Sequence, residues 1–207
     1  MTTKERILKT ALKLFNDYGL SKVTLRTIAN EMGISQGNLN YHFKKREFII
    51  EALYFQLVQN IDNGMAKNKA TEVGLRILFN SSTLIMKNFY EYRFFMLDFV
   101  QIIRENKQIK KHYVALTILR ETQFKNLFDL MTASNIMREA ILPNEYQFLY
   151  KRFQILGDFW ISSAMVSHKK ITKKIMEDYA IILHQAIYPY LTKKGQESYL
   201  EILKLKA

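Results

Sequence analysis

The sequence predicts an all-α fold in two parts, a short N-terminal domain over residues 1–47 and a longer helical domain over 48–207. Three observations predict it. Apolar residues recur at three- and four-residue spacing through most of the chain, the period of a helix that buries one face. Seven Gly and two Pro among 207 residues leave too few turn signals for the connections of a sheet protein. Capping residues (Thr2, Thr24 and Ser35) stand directly before apolar-periodic runs.

Thr2-x-x-Glu5 reads as a capping box that opens the first helix. Ile7, Leu8, Ala11, Leu12 and Phe15 then share one face, and Gly19 stops the helix where a left-handed residue belongs. Thr24 caps a second helix with Leu25, Ile28, Ala29 and Met32 inward, ended by Gly33. Ser35 caps a short third helix over about 36–42, with Ile34 stapled onto Leu39. Lys44-Lys45-Arg46 leads into a long fourth helix that turns Phe48, Ile49, Leu53, Leu57 and Ile61 inward. A polar stretch from Gly64 to Lys69 separates two regions. Beyond it, Thr71 caps a helix to about Asn88, a shorter helix covers about 92–104, and a long one covers about 107–132. Pro143 suits the first position of the next helix, where its missing N–H costs nothing; that helix runs to about 167. A basic connector, Lys169 to Lys174, precedes a helix carrying Ile175, Tyr179, Ile182, Leu183 and Ile187; Pro189 and Gly195 close it before a short C-terminal helix.

Composition narrows the function. The net charge of +12 favours a polyanionic partner, either nucleic acid or an anionic membrane surface. The absence of Cys excludes disulfides, thiolate metal sites and a Cys nucleophile. His42, His112, His168 and His184 lack ligand spacing, so neither a metal nor a cofactor is expected. No paired acid/base spacing, phosphate-cradling Gly loop or Ser elbow points to an enzyme. The N-terminus has no apolar signal-peptide core, and no run reaches the roughly 18–20 apolar residues of a membrane span. A soluble, cytoplasmic protein that does not bind membranes is the expectation.

The stretch TLRTIANEMGISQGNLNYHF, residues 24–43, carries the function. Two short helices meet at Gly33 through a turn of a few residues, the helix-turn-helix pattern. The second helix fits a DNA major groove, where each base pair shows a distinct set of donors and acceptors. Gln36, Asn38, Asn40 and Tyr41 lie on its outward side, and Leu39 and Phe43 hold it to the scaffold. Gly37 leaves the first turn bare for close approach, and the free N–H groups there favour a phosphate.

Residues 4–50 resemble the DNA-binding domain of the tetracycline-repressor family. The resemblance lies in ILKTALKLFNDYG, then T-x-x-x-IA-x-x-x-GIS-x-G-x-x-x-YHF, then a basic residue before Glu47. Arg46 stands where the family usually has Lys, and Asn40 where many relatives carry an aromatic residue. The resemblance implies a homodimeric transcriptional repressor, bacterial and cytoplasmic, on a palindromic double-stranded operator. It implies phosphate contacts from Thr24, Tyr41, His42 and Arg46, with Ser35 and Lys45 beside them, and base-edge contacts from Gln36, Gly37, Asn38 and Asn40. Arg26 would reach a guanine from the second helix. The competing reading makes Arg26 a solvated surface residue and His42 a packing residue.

The second region is rich in aromatic and Met side chains, and in the family such a domain holds a cavity for an apolar or amphipathic small molecule. Met86, Phe95, Asp98, Phe99, Phe124, Phe128, Phe159 and Trp160 are the candidate ligand-binding residues; ordinary helix-bundle core is the competing reading. Asp98, Arg104, Asp158 and His184 are polar groups near those stripes. The family dimerises through its last two major helices. Phe153, Leu156, Trp160, Ala164, Tyr179, Leu183 and Ile187 would form that seam, with intrachain core as the alternative. A regulator of the same fold with a protein partner, or with no small-molecule effector, is the second functional reading.

Overall fold

The computed structural model describes residues 1–69 and 74–204, so the expected cap at Thr71 lies outside the described residues. Eleven α-helices form among them: α1 Thr3–Tyr18, α2 Leu25–Met32, α3 Gln36–His42, α4 Arg46–Lys69, α5 Leu75–Glu91, α6 Arg93–Leu97, α7 Phe99–Glu105, α8 Lys107–Ala133, α9 Glu145–Ser167, α10 Lys173–Gln185 and α11 Lys193–Lys204. The only extended pairing among the described residues is an isolated bridge between Met137 and Leu191. The fold is all-α. No helix among the described residues is long and apolar enough to cross a membrane.

The chain packs as two units. The first comprises Met1–Asn60 and Asn88–His112; the second comprises Ile61–Lys87 and the residues from Tyr113 on. The first begins with the expected capping box, in which Glu5 N donates to Thr2 Oγ1 and Thr2 N donates to the Glu5 carboxylate. Ile7, Ala11, Leu14 and Phe15 of α1 are buried, whereas Leu8 and Leu12 are half-buried. The α1 core stripe is therefore rotated toward Leu14, because α6 covers that side: the Phe15 and Phe94 rings lie 5.1 Å apart. Asn16 completes this join by donating to the Glu91 carbonyl and accepting from Phe94 N. On α4, Ile49, Leu53, Leu57 and Ile61 are buried as expected. Phe48 is not: at 48% exposed it faces outward, and Ile50 and Tyr54 are buried instead. Tyr54 stacks on Phe95 at 5.2 Å and its hydroxyl meets His112 Nδ1 at 2.8 Å. Burial there pushes the Tyr54 phenol well above its usual range.

Four further expectations are corrected. The single helix over about 92–104 is two, α6 and α7, parted at Asp98 by a non-helical ψ of 19°. Pro143 is not the first residue of α9. Asn144 occupies the cap in the left-handed region (φ 56°), and Glu145 starts the helix. The Glu145 carboxylate explains the shift, since it takes two hydrogen bonds from Arg138, at 2.8 and 2.9 Å, and one from Ile141 N. Those bonds hold its carboxyl down to about 2. Gly195 closes no helix; it sits in the first turn of α11, where a Cβ would fall 2.1 Å from the Ile136 carbonyl oxygen. Lys173 and Lys174 likewise belong to α10, which Thr172 caps by accepting from Ile175 N.

Candidate nucleic-acid interface

Helix α3 is held outward by a chain of local interactions. At the start of α2, Thr24 and Thr27 cap each other, with Thr24 N donating to Thr27 Oγ1 at 2.7 Å and Thr27 N to Thr24 Oγ1 at 3.2 Å. Gly33 ends α2 at φ 66° and ψ 31°, a conformation that costs a side chain bearing Cβ but not glycine. Ser35 then accepts from Asn38 N at 3.1 Å and starts α3. Leu39, fully buried, and Phe43, nearly so, fix the inner side against Ile28 and Ala29 in the same core.

The outer side is polar and open. Gln36, Gly37 and Asn38 are exposed, and Tyr41 is 85% exposed, unusual for so large a ring. Thr24, Arg26, Ser35 and Lys45 are exposed as well. A Cβ at Gly37 would meet only Ser35 Oγ, at an ordinary 3.9 Å, and the residue has no positive φ. Its bareness answers no need inside the chain. Asn40 is half-buried, and its Oδ1 is closed off from solvent without a hydrogen-bond partner. His42 is half-buried with its ring edge-on to Tyr41 at 5.3 Å. Arg46 is tied inward: Nη1 donates to the carbonyls of Leu20 (2.8 Å) and Val23 (3.3 Å), and Nε lies 3.6 Å from Glu47. It anchors the turn that precedes α2.

Electrostatics favour an anion as the partner of this domain. Residues 1–47 hold nine Lys and Arg against four Asp and Glu. Among the described residues, Lys13 pairs with Glu31 and Arg46 with Glu47, while Lys4, Arg6, Lys9, Lys22, Arg26, Lys44 and Lys45 have no ion-pair partner. Asp98 belongs to the same unit. Burial raises its carboxyl above the usual range, opposed by the Leu20 N–H and the Arg46 charge.

The candidate ligand residues occupy several settings. Phe95, Asp98 and Phe99 lie in the first unit, where Phe95 packs on Tyr54 and Phe99. In the second unit, Phe124 and Phe128 pack on each other, Phe124 also on Tyr150 and Phe153, as bundle core. Met86, Phe159 and Trp160 line one pocket of about 170 Å³ between α9 and α10. Asp158 is buried beside Tyr113, whose hydroxyl donates to it at 2.5 Å. His184 is buried against Phe79, 4.1 Å between rings, with Ser82 Oγ 2.8 Å from its Nε2.

Of the expected seam, Phe153, Trp160, Ala164, Leu183 and Ile187 are buried within the chain, Tyr179 is half-buried and Leu156 is 37% exposed. Leu156 shares the outward apolar surface with Phe148, Ile155, Phe159, Met165 and Val166 on α9, and Ile181 and Ile182 on α10. The signal for them was present in the sequence, because α9 carries apolar residues around more than one face. Period alone does not say which face stays outside.

Comparison with known proteins adds an independent line. Residues 7–53 match the family described as bacterial regulatory proteins, tetR family, and residues 56–199 match the TetR family described as bacterial transcriptional repressor. The HTH-type transcriptional regulator YerO of Bacillus subtilis (strain 168) is 27% identical over 128 residues, 59% of this chain and 44% of that protein. The tetracycline repressor protein class C of Escherichia coli is 38% identical over 50 residues, 24% of this chain and 23% of that protein. The chain thus spans less than half the length of these relatives. A TetR-family regulator from Marinobacter aquaeolei VT8 superposes with a TM-score of 0.81 at 22% identity, covering 98% of this chain and 97% of that one. The ketosteroid transcriptional regulator KstR2 of Mycobacterium tuberculosis superposes with a TM-score of 0.74 at 11% identity, covering 93% and 96%.

Proposed function

Because this chain belongs to the TetR family of DNA-binding transcriptional regulators, we propose that it is a homodimeric repressor that holds a palindromic operator and leaves it when an apolar or amphipathic small molecule binds. The observation that carries the reading is the outer side of α3. Gln36, Gly37, Asn38 and Tyr41 stand exposed on a helix fixed from behind by Leu39 and Phe43, in a domain whose cations mostly lack an ion-pair partner among the described residues. Gln36 and Asn38 read base edges, and Gly37 lets the backbone approach the groove. Arg26 reaches toward the bases from α2, and Asn40 does so only after its carbonyl side turns outward. Thr24, Ser35, Tyr41, His42 and Lys45 meet phosphates, which position the head without reading sequence. Arg46 adds its charge while holding the turn before α2. Residues 1–47 form this reading head, and 48–207 serve effector binding and assembly.

Dimerisation is assigned to the outward apolar residues of α9 and α10, with Leu156 and Tyr179 at their margin. The buried Phe153, Trp160, Ala164, Leu183 and Ile187 support that face from inside. A ligand releases DNA only through different affinities for two conformations. The pocket that includes Met86, Phe159 and Trp160 supports such a ligand. The packing of Phe124 and Phe128 against Tyr150 and Phe153 supports the second reading, a regulator without a small-molecule effector or with a protein partner.

The test is binding of the full chain to a duplex selected from random DNA, followed across salt concentration. Log affinity should fall with log salt by about 0.9 per neutralised phosphate, and Lys45→Ala should remove about one such unit on any sequence. Binding indifferent to salt overturns the proposal.

A further inference from the structure

The pocket between α9 and α10 has a polar feature that packing leaves unexplained. Trp160 is 3% exposed and walls the pocket, yet its indole Nε1–H has no acceptor among the described residues. A buried donor without a partner costs free energy that a ligand acceptor can recover. The remaining walls are mainly apolar, among them Met86, Ile155, Phe159 and Ile182, and no charged residue lines the pocket. Ser163 Oγ and Tyr179 OH, 3.3 Å apart, supply a second hydrogen-bonding point, and the Tyr179 ring lies 5.6 Å from the indole. The volume, about 170 Å³, is close to the about 150 Å³ of a cavity known to admit benzene. One ring with a small substituent matches that volume.

We propose that this pocket binds an uncharged, single-ring molecule carrying one hydrogen-bond acceptor, an ester, ketone or ether oxygen, and that Trp160 selects it by donating its indole N–H. The inference deepens the effector reading above and rests on it only for the consequence at DNA. Ile155, Phe159 and Ile182 line the pocket and also belong to the dimer face assigned above, so the competing reading is that the second copy fills the pocket itself instead of only covering its outer side. The apolar side chains of that face, Phe148, Ile155, Val166, Ile181 and Ile182, carry no acceptor, so inserting one of them would leave the indole N–H unpaired.

Trp160 is the single tryptophan of the chain, so a ¹⁵N-labelled sample gives one indole N–H signal that reports on this pocket alone. The full chain is titrated with methyl benzoate and, separately, with cumene, which matches it in size but has no acceptor. Methyl benzoate should move the signal downfield to saturation and bind about tenfold tighter than cumene, the effect of one hydrogen bond to an otherwise unpaired buried donor. Trp160→Phe should bring the two affinities within about twofold of each other. Ile182→Phe, a half-exposed position where the larger side chain leaves the fold intact, should narrow the pocket and weaken both probes at least tenfold. A signal that neither probe moves overturns the proposal, as do equal affinities for the two. So does a signal that moves only with protein concentration, which makes the second copy the occupant. Operator affinity measured with methyl benzoate separates the two readings: binding at Trp160 that leaves operator affinity unchanged supports this site and removes its role in release.

Discussion

The reading head and the α9–α10 pair use apolar residues in opposite ways. In α1 to α3 the apolar face is closed inward by Ile7, Phe15, Ile28 and Leu39, and what is left outside is polar, charged or the rings of Tyr18 and Tyr41. In α9 the inward set of Phe153, Trp160, Ile161 and Ala164 is matched by an outward set of Phe148, Ile155, Phe159 and Val166. Contiguous apolar surface of this kind marks an interaction site. The head is a finished core that displays hydrogen-bonding groups to a charged partner. The pair leaves part of its apolar surface open, the surface proposed above as the dimer face.

The strongest way to break this comparison is to disrupt each apolar set on α9 in turn. Ile155→Glu or Phe159→Glu should leave the fold intact and abolish the dimer. Each loses about 1.5–3 kcal/mol of burial twice across a two-fold axis, about 10²–10⁴-fold in the dissociation constant. Trp160→Ala should instead cost about 3–5 kcal/mol of folding stability. Sedimentation beside thermal melting tells the two apart, and a dimeric Ile155→Glu protein removes the assignment of that face.

A second prediction concerns charge inside the second unit. Burial pushes the Asp158 carboxyl up to about 6, against the pull of the Tyr113 hydroxyl and the Gln154 amide. The folded state then binds its proton more tightly than the unfolded state, where the pKa is near 3.9. The resulting stability is complete below about pH 4 and is lost as pH rises toward and through 6, on the order of 3 kcal/mol in all. Asp158→Asn should flatten that part of the profile and melt above the wild type at pH 8. Denaturant midpoints across pH measure it; identical slopes between pH 4 and 7 contradict it.

Within the head, Gln36→Ala should cost about 1–3 kcal/mol on the operator at one symmetric pair of base positions and little on random DNA. Equal losses on both would take Gln36 out of base reading. The smallest effect sharpens the contrast most. Gly37→Ala places on a helix a Cβ that meets only Ser35 Oγ, at an ordinary contact distance, so folding stability should rise by roughly 0.5–1 kcal/mol. The same methyl group intrudes where the backbone meets DNA, so operator affinity should fall while the melting temperature rises. A variant that gains stability and keeps full affinity shows that α3 does not approach the groove at Gly37.

What the sequence by itself determined is local. Thr2, Thr24 and Ser35 cap, Gly19 and Gly33 turn through positive φ, and residues three or four apart share a face, so α1 to α3 were legible nearly to the residue. Each of those signals acts within about one helical turn, the range over which a side chain meets its own backbone. The tertiary structure decided what depends on distant partners. Asn16 and Phe15 join α1 to α6, seventy-five or more residues away, and so set which side of α1 is core. Glu145 starts α9 because Arg138 and Ile141 fold back onto it, a pairing that overrides the preference of Pro143 for the first position. On α9 the period shows several apolar faces. Packing against α10 chooses which of them is buried, because a helix buries whichever face its neighbour covers, and no residue on α9 encodes where that neighbour stands.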